Sequence, residues 1–361
     1  MFLMEPAWQL HARVCQDVRY EASMTVTRLT HALTEGFPWI TPEYSASCSF
    51  APLSNNKAVA LIAVDHVRLY LTDGTMFNDT MLRADSRPRW MSDNEISFRH
   101  GNSWMRFDGA NYGPVKTFPE FSSIDDNGEA DILFATEGMK RVTVGNSRTI
   151  FVHNLTTGID GGRMFAPSDF DSVYLTPKGN VLVSWGAKGS AEFQGMDLFD
   201  GDMIWLRHIE NVNGHKGICL DQNGDEVLIW TNSDDPNPGP NANNAICMVR
   251  LADGKSTVLC ELDWSLAVHI SCPTQAKFAF VSTEQAASST VECAHRNKIL
   301  KVGFDGTVTD LCDHGATSSY NSQAKVTSSR DGSCALFASN HDRLLNAVVD
   351  LNYADTYLLS L

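Results

Sequence analysis

The sequence lacks several features that would assign the protein to a class directly. It has no apolar run near the roughly 20 residues needed to span a bilayer, and the stretch Met1 to Pro6 breaks before a signal-peptide core can form. Positive charge is scarce, since 28 Lys and Arg face 43 Asp and Glu and the formal net charge is −15. That balance disfavours nucleic acid and anionic membranes as partners. We therefore expect a soluble protein without a signal peptide, in the cytoplasm or on a virion.

Signatures of catalysis and of metal binding are also missing. The nine cysteines include no CxxC pair, which argues against a zinc ribbon and against a complete disulfide framework, so we expect reduced and mostly buried thiols. No nucleophile elbow, P-loop, HExxH or dinucleotide fingerprint occurs. The polar stretch 232–241 lacks the ordered spacing of a calcium loop. Function must therefore be inferred from the fold.

What the sequence does contain is a repeated pair of turns between short β-rich runs, and such turns are strong hairpin signals. One series is Asp73-Gly74, Asp108-Gly109, Thr157-Gly158, Asp200-Gly201, Asp253-Gly254 and Asp305-Gly306. The other is Asn55-Asn56, Asp93-Asn94, Glu137-Gly138, Lys178-Gly179, Asn223-Gly224, Gln275-Ala276 and Asp331-Gly332, at intervals of 38 to 56 residues. Each unit reads as four strands, A to D, and four antiparallel strands at this period indicate a β-propeller blade.

The repeat predicts an all-β fold, a seven-bladed β-propeller with four-stranded blades. Strand A is expected to begin near Ser45, Arg89, Asp131, Phe170, Lys216, Ile270 and Ala324. The seventh blade has three strands at the C-terminus, 323–326, 334–338 and 356–361, and we expect residues 24–30 to supply its fourth strand and close the ring. Residues 24–361 would then form one domain, and residues 1–23 an arm that docks on a partner. Two stacked sandwich domains are the alternative.

The loops predict which face binds. The connections from strand B to strand C lengthen in blades 4 to 7, at 186–195, 232–244, 284–297 and 340–355. In a propeller these connections share one face with the starts of the A strands, and insertions on one face of a repeat fold usually mark the binding surface. We therefore expect an asymmetric cleft on this face.

The starts of the A strands carry the candidate site residues. They are Arg87, Arg89, Glu129, Asp131, Asp169, Asp171, His215, Lys216, His269, Tyr320 and Gln323. His215 and His269 begin adjacent blades, so the fold should bring them together as metal ligands or as an acid/base pair. The alternative is that these polar groups only satisfy one another and the backbone.

Three segments also carry a family resemblance. Residues 26–30, residues 329–332 with 336–340, and the terminal residues 356–361 resemble the seven-bladed propellers of the oligogalacturonate-lyase type. The resemblance implies a manganese ion, held by histidines and a glutamine, that polarises a uronate carboxylate so that a base can remove the C5 proton. His215, His269 and Gln323 are the candidate ligands here for manganese or another divalent ion such as calcium. The stretch 320–325 contains Gln323 but no histidine.

Three functional hypotheses follow. The favoured one is a non-catalytic propeller that binds a carbohydrate or a protein partner through the long-loop face, as an adhesin or a virion tail component. The second is a uronate lyase that acts by β-elimination, either metal-assisted or with Tyr320 or His215 as base and Arg89 or Lys216 neutralising the carboxylate. Further ligand contacts are expected from Glu129, Asp131, Asp169 and Gln323. The third is a scaffold that joins an assembly through residues 1–23.

Overall fold

The chain is built from β-strands. The computed structural model describes residues 24–42, 58–64, 66–83, 86–92, 95–108, 111–121, 123–126, 132–136, 149–186, 193–212, 214–231, 244–274, 276–285, 289–290, 292–316, 322–340 and 353–361. Within these ranges the chain forms 27 strands. No helix in the described ranges is long and apolar enough to cross a membrane.

The strands follow one another in chain order. They are β1 (Thr25–Arg28), β2 (Ala58–Ala63), β3 (His66–Leu71), β4 (Met76–Arg83), β5 (Ser86–Ser92), β6 (Glu95–His100), β7 (Ser103–Phe107), β8 (Tyr112–Thr117), β9 (Asp125–Asp126), β10 (Ile132–Thr136), β11 (Thr149–Asn154), β12 (Asp160–Phe165), β13 (Phe170–Leu175), β14 (Val181–Trp185), β15 (Met196–Phe199), β16 (Trp205–Glu210), β17 (Lys216–Leu220), β18 (Glu226–Thr231), β19 (Asn244–Arg250), β20 (Lys255–Leu262), β21 (Leu266–Ser271), β22 (Phe278–Gln285), β23 (Lys298–Gly303), β24 (Val308–Asp313), β25 (Thr327–Ser328), β26 (Cys334–Ser339) and β27 (Asp355–Ser360).

In the described residues these strands form seven antiparallel sheets, which we number in chain order. Sheet 1 is β2–β4, sheets 2 to 6 are β5–β8, β9–β12, β13–β16, β17–β20 and β21–β24, and sheet 7 is β25-β26-β27-β1. First strands of neighbouring sheets touch, as β17 touches β21 and β21 touches β25. The predicted all-β propeller is therefore confirmed, and sheets 2 to 7 have the predicted four strands. The first strand predicted near Ser45 lies outside the described residues.

The predicted turns locate most strands correctly. Every Asp-Gly or Thr-Gly turn of the first series lies between the last two strands of its sheet, in sheets 1 to 6. Sheet 3 is the exception in the second series, because β10 is its second strand, pairing with both β9 and β11. Strand A of sheet 3 is therefore β9 and does not begin at Asp131. The prediction did not use the hairpin signal Asn127-Gly128, which falls between β9 and β10 in the sequence.

Three further first strands are displaced from their predicted starts. They are β5, which begins at Ser86 rather than Arg89, β21, which begins at Leu266 rather than Ile270, and β25, which begins at Thr327 rather than Ala324. Turn signals fix where a strand ends at the hairpin, whereas the far end depends on pairing with the neighbouring strand, which composition does not reveal.

The two ends of the chain meet in sheet 7. The N-terminal strand β1 runs antiparallel to the C-terminal strand β27, with Thr25 opposite Ser360 and Arg28 opposite Tyr357. This is the pairing of chain ends that the sequence predicts.

The hydrophobic core lies between successive sheets. Between sheets 5 and 6, for example, Val227 and Ile229 pack with Leu266, Val268 and Ile270. Sheets covered on both faces have nearly continuous apolar strands, and β14 is buried along its whole length. The described cysteines are all free thiols, as expected; Cys219, Cys247, Cys272, Cys312 and Cys334 are buried, and Cys260 and Cys293 are half-buried.

Candidate functional site

The predicted site lies at one end of the propeller. The links from the last strand of one sheet to the first strand of the next, such as 211–215 and 314–326, meet there with the ends of the second strands. The amide of Thr231 donates to the carbonyl of His215 at 3.0 Å, and the amide of Gly186 donates to that of Asp169 at 2.8 Å. The strand bounds place the long connections of sheets 4 to 7 at 186–195, 232–243, 286–297 and 340–354. We call this end the long-loop face.

His215 and His269 are neighbours, as predicted. Their ring centroids are 4.6 Å apart and the rings are tilted by 42°, although 54 residues separate them in the chain. Two glycines make the approach possible. A Cβ at Gly214 would lie 1.8 Å from the carbonyl oxygen of Thr231, and one at Gly217 would lie 2.7 Å from the sulfur of Cys272, which directly follows β21. Larger residues at either position would push sheet 5 away from this arrangement.

Two lysines act on the histidine pair. Burial, and then the charges of Lys216 and Lys325, lower the pKa of His215 to about 4. The pKa of His269 falls well below its ordinary value, first through burial and then through His215, Lys325 and His314. Lys216 is only 4% exposed, and its ammonium lies 5.4 Å from the centroid of the Tyr174 ring. Both imidazoles are therefore neutral near pH 7, beside two cations.

The backbone around Lys325 is held from sheet 6. Glu284 accepts a hydrogen bond from the amide of Ala324 at 2.5 Å, and the hydroxyl of Ser282 accepts one from Val326 at 3.4 Å. Between these contacts Lys325 adopts φ +41°, a left-handed conformation that a non-glycine residue rarely adopts outside functional sites. Burial raises the pKa of Glu284 to about 7, opposed by the Ala324 amide and by Lys325. Glu284 thus titrates near neutrality beside this lysine.

A third histidine, His314, acts electrostatically on His269 of this pair. His314 donates from Nε2 to the carbonyl of Thr283 at 2.9 Å, and its Nδ1 accepts from the amide of Ala316 at 3.0 Å. These partners fix one neutral tautomer, and burial lowers its pKa to about 4. Sequence analysis missed His314, Glu284 and Lys325. The available signal for His314 was its place in the link from β24 to the first strand of sheet 7, because His215 lies in the corresponding link from β16 to β17.

The remaining predicted residues are distributed as follows. Asp169 is half-buried before β13, and Gln323 is half-buried next to Ala324. Arg89 lies in β5 opposite Ser97. Strand order assigns Glu129 and Asp131 to the β9–β10 connection instead of the start of a first strand; both residues lie outside the described ranges, as does Tyr320. The structure therefore brings His215, Lys216 and His269 together, and adds Lys325.

The described residues do not fit a divalent metal ion. They contain no group of three or more His, Cys, Asp or Glu side chains arranged to hold one. Beside His215 and His269 stand Lys216 and Lys325, whose charges act on the imidazoles and would repel a cation. Of the predicted ligand set for manganese or calcium, His215 and His269 lie together, and no third His, Cys, Asp or Glu joins them among the described residues. The role of Gln323 stays a prediction.

Comparisons with known proteins identify the fold. No family model matches the chain, and no curated protein matches it. Among solved structures, an oligogalacturonate lyase in complex with manganese is similar at 13% identity and a TM-score of 0.63, with 95% of each chain covered. The oligogalacturonate lyase of Vibrio parahaemolyticus has 10% identity and a TM-score of 0.63, over 96% of this chain and 95% of that one. The WD40 domain of Neurospora crassa Pan2 has 11% identity and a TM-score of 0.54, over 93% and 95%.

These likenesses concern architecture. They confirm the all-β propeller and the structural resemblance to the oligogalacturonate-lyase type. At such identities a shared fold leaves the reaction open, because propellers carry unrelated functions.

Proposed function

We propose that the protein binds an acidic carbohydrate at the long-loop face, with a sugar carboxylate between Lys216 and Lys325. The observation that carries the proposal is that both lysines act electrostatically on one imidazole, that of His215. Both charges would attract an anion bound near His215. Burial of Lys216 strengthens its attraction to a carboxylate, because the local dielectric is low.

The neutral histidines can form hydrogen bonds with the hydroxyl groups of the same sugar. A neutral imidazole offers one hydrogen-bond donor and one acceptor, which matches a hydroxyl group. His215 and His269 together could thus orient a ring whose carboxylate the lysines hold. The strands that bound the long connections of sheets 4 to 7 end at this face, and asymmetric insertions on one face of a repeat fold favour ligand binding there.

We also propose that the seven sheets are the seven blades of one closed ring, sealed by the β1–β27 pairing. A closed ring leaves no open sheet edge. It would also surround the lysine and histidine cluster with first strands on all sides, which limits entry of ligands to the long-loop face.

Uronate β-elimination is the second candidate. Neutral His215 would accept the C5 proton, the C4–O bond would break, a C4–C5 double bond would form, and the departing oxygen would take a proton from water or from Tyr320. Lys216 and Lys325 would neutralise the carboxylate, which makes the C5 proton more acidic. This route needs no metal. Two of the structures that share the fold are oligogalacturonate lyases, one of them in complex with manganese.

Calorimetric titration with oligogalacturonates and with their methyl esters tests the binding proposal. The esters keep the sugar and remove the charge, so binding of the esters should be weaker by about tenfold or more. Lys325→Met and Lys216→Met should weaken binding of the acids similarly. Lys301→Met is the control, because Lys301 lies over the Phe278 ring on sheet 6. Equal affinity for acids and esters would contradict the proposal.

Ultraviolet absorbance of the unsaturated uronate product tests the elimination. A rise that persists in EDTA and disappears in His215→Ala would support elimination with His215 as base. Binding of oligogalacturonate without any rise in absorbance would support a binding protein that does not catalyse the elimination. A rise that EDTA abolishes would contradict the metal-free route.

A further inference from the structure

An exposed tryptophan stands on the long-loop face. Trp264 lies in the link 263–265 between β20 and β21, and 43% of its surface is exposed. An exposed indole leaves a large apolar surface in water, which is unfavourable unless a ligand covers it. Single exposed apolar residues are common, however, so exposure alone does not mark a binding site. What distinguishes Trp264 is how firmly its turn is held.

The turn that carries Trp264 is fixed from both neighbouring sheets. Asn244 of sheet 5, itself fully buried, donates to the carbonyls of Asp263 at 3.3 Å and Leu266 at 2.7 Å. Asp263 in turn accepts from the amide of Ser265 at 2.8 Å. The hydroxyl of Ser265 accepts from the Gln285 amide of sheet 6 at 2.7 Å. Buried polar side chains thus hold the residues on both sides of the indole.

The position of this turn relates it to the channel site. Asn244 directly follows the long connection 232–243, and Gln285 directly precedes the connection 286–297, so Trp264 lies between two of the four long connections. His269 follows five residues later along the same chain segment. At about 3.3 Å per strand residue, the strand run from Leu266 to His269 alone spans roughly 10 Å. A ligand that reaches both must be longer than one sugar ring.

We infer that Trp264 is a stacking platform for a second sugar ring of the acidic oligosaccharide whose carboxylate binds at Lys216 and Lys325. This inference rests on the proposed function. The C–H face of a pyranose packs on an aromatic ring as an apolar surface, and a site with a few polar groups beside aromatic walls is typical of small-ligand binding. Because the turn is already fixed, stacking of a sugar ring on Trp264 costs the protein little conformational entropy.

The test compares ligand lengths. Galacturonic acid and its hexamer are titrated into wild type, Trp264→Ala, Trp264→Phe and Phe165→Ala, where Phe165 is an exposed aromatic residue of β12 on another sheet. We expect Trp264→Ala to weaken hexamer binding about tenfold and to leave monomer binding unchanged. Trp264→Phe should largely restore hexamer binding, and Phe165→Ala should have no effect.

A spectroscopic measurement separates the two proposals. With 5-fluorotryptophan incorporated, the Trp264 resonance, assigned through Trp264→Phe, should shift on addition of the hexamer. If the hexamer binds in a Lys325-dependent manner while this resonance stays in place and Trp264→Ala binds equally well, the platform is wrong and the proposed function stands. If wild type binds neither ligand, both proposals fall.

Discussion

Two buried polar clusters of this propeller differ in how their charges are arranged. The closure cluster joins the chain ends and consists of Arg28, Thr30, Ala32, Tyr353 and Asp355. The channel cluster consists of His215, Lys216, His269, Glu284 and Lys325. In the closure cluster, opposite charges and donors converge on one carboxylate. In the channel cluster, cations lie beside histidines whose pKa values they lower.

The closure cluster has the form of a structural device. Asp355 is fully buried and accepts from the guanidinium of Arg28, the hydroxyl of Tyr353, the hydroxyl of Thr30 at 2.9 Å and the amide of Ala32 at 2.8 Å. A buried charge that is paired and fully hydrogen-bonded is tolerated, whereas like charges in one place reduce stability. The comparison suggests that the first cluster holds the fold together and that the second is arranged for an anion.

Breaking the closure cluster should have the largest effect. Asp355→Ala leaves Arg28 without its buried carboxylate, and we expect the free energy of unfolding to fall by about 3–5 kcal/mol. Urea denaturation followed by circular dichroism measures the loss. The matched control is Asp253→Ala, because Asp253 forms an exposed ion pair with Arg250 and its removal should change little. Equal effects of the two substitutions would contradict the structural role of Asp355.

A smaller effect is expected where the backbone packs closely behind the channel cluster. In Gly214→Ala the new Cβ would overlap the carbonyl oxygen of Thr231, so we expect a loss of about 2 kcal/mol and weaker binding of oligogalacturonate through displaced His215. Gly113→Ala is the control, since nothing lies within 4 Å of a Cβ there. Unchanged stability and affinity in Gly214→Ala would show that the sheet relaxes freely.

The pH dependence of stability should distinguish the ionisable members of the channel cluster and His314. His215 and His314 have pKa values lowered from 6.5 to about 4, so the unfolded chain binds more protons between these values and stability falls as the pH drops from 6.5 towards 4. Glu284, with its pKa raised from 4.5 to about 7, acts in the opposite direction, because its contribution is lost as the pH rises through 7. Glu284→Gln should therefore steepen the loss of stability on acidification. Parallel curves for wild type and variant, measured by urea denaturation, would refute this assignment.

How far sequence predicts these regions depends on the range of the interactions. The turns and the pairing of the chain ends follow from local hairpin signals and from the missing strand of the last blade, and the His215–His269 contact follows from the repeat. The first strand of sheet 3 was predicted at the wrong position because two pairs, Asn127-Gly128 and Glu137-Gly138, both read as hairpin turns. Glu284 and Lys325 were missed because their roles arise from the Ala324 contact between sheets 6 and 7, which no local pattern reveals. The rigidity of the Trp264 turn likewise depends on Asn244 and Gln285 from neighbouring sheets.

The smallest effect predicted is a change in the ionisation of the histidine pair. Lys325→Met removes one of the charges that lower the pKa values of His215 and His269, so both pKa values should rise towards 6.5, while Lys301→Met should leave them unchanged. Nitrogen-15 correlation spectra of the imidazoles across a pH titration measure the shift. If neither pKa moves, burial alone keeps the histidines neutral. In that case Lys325 lies too far from His215 to share a carboxylate with Lys216, and the electrostatic basis of the binding site would be lost.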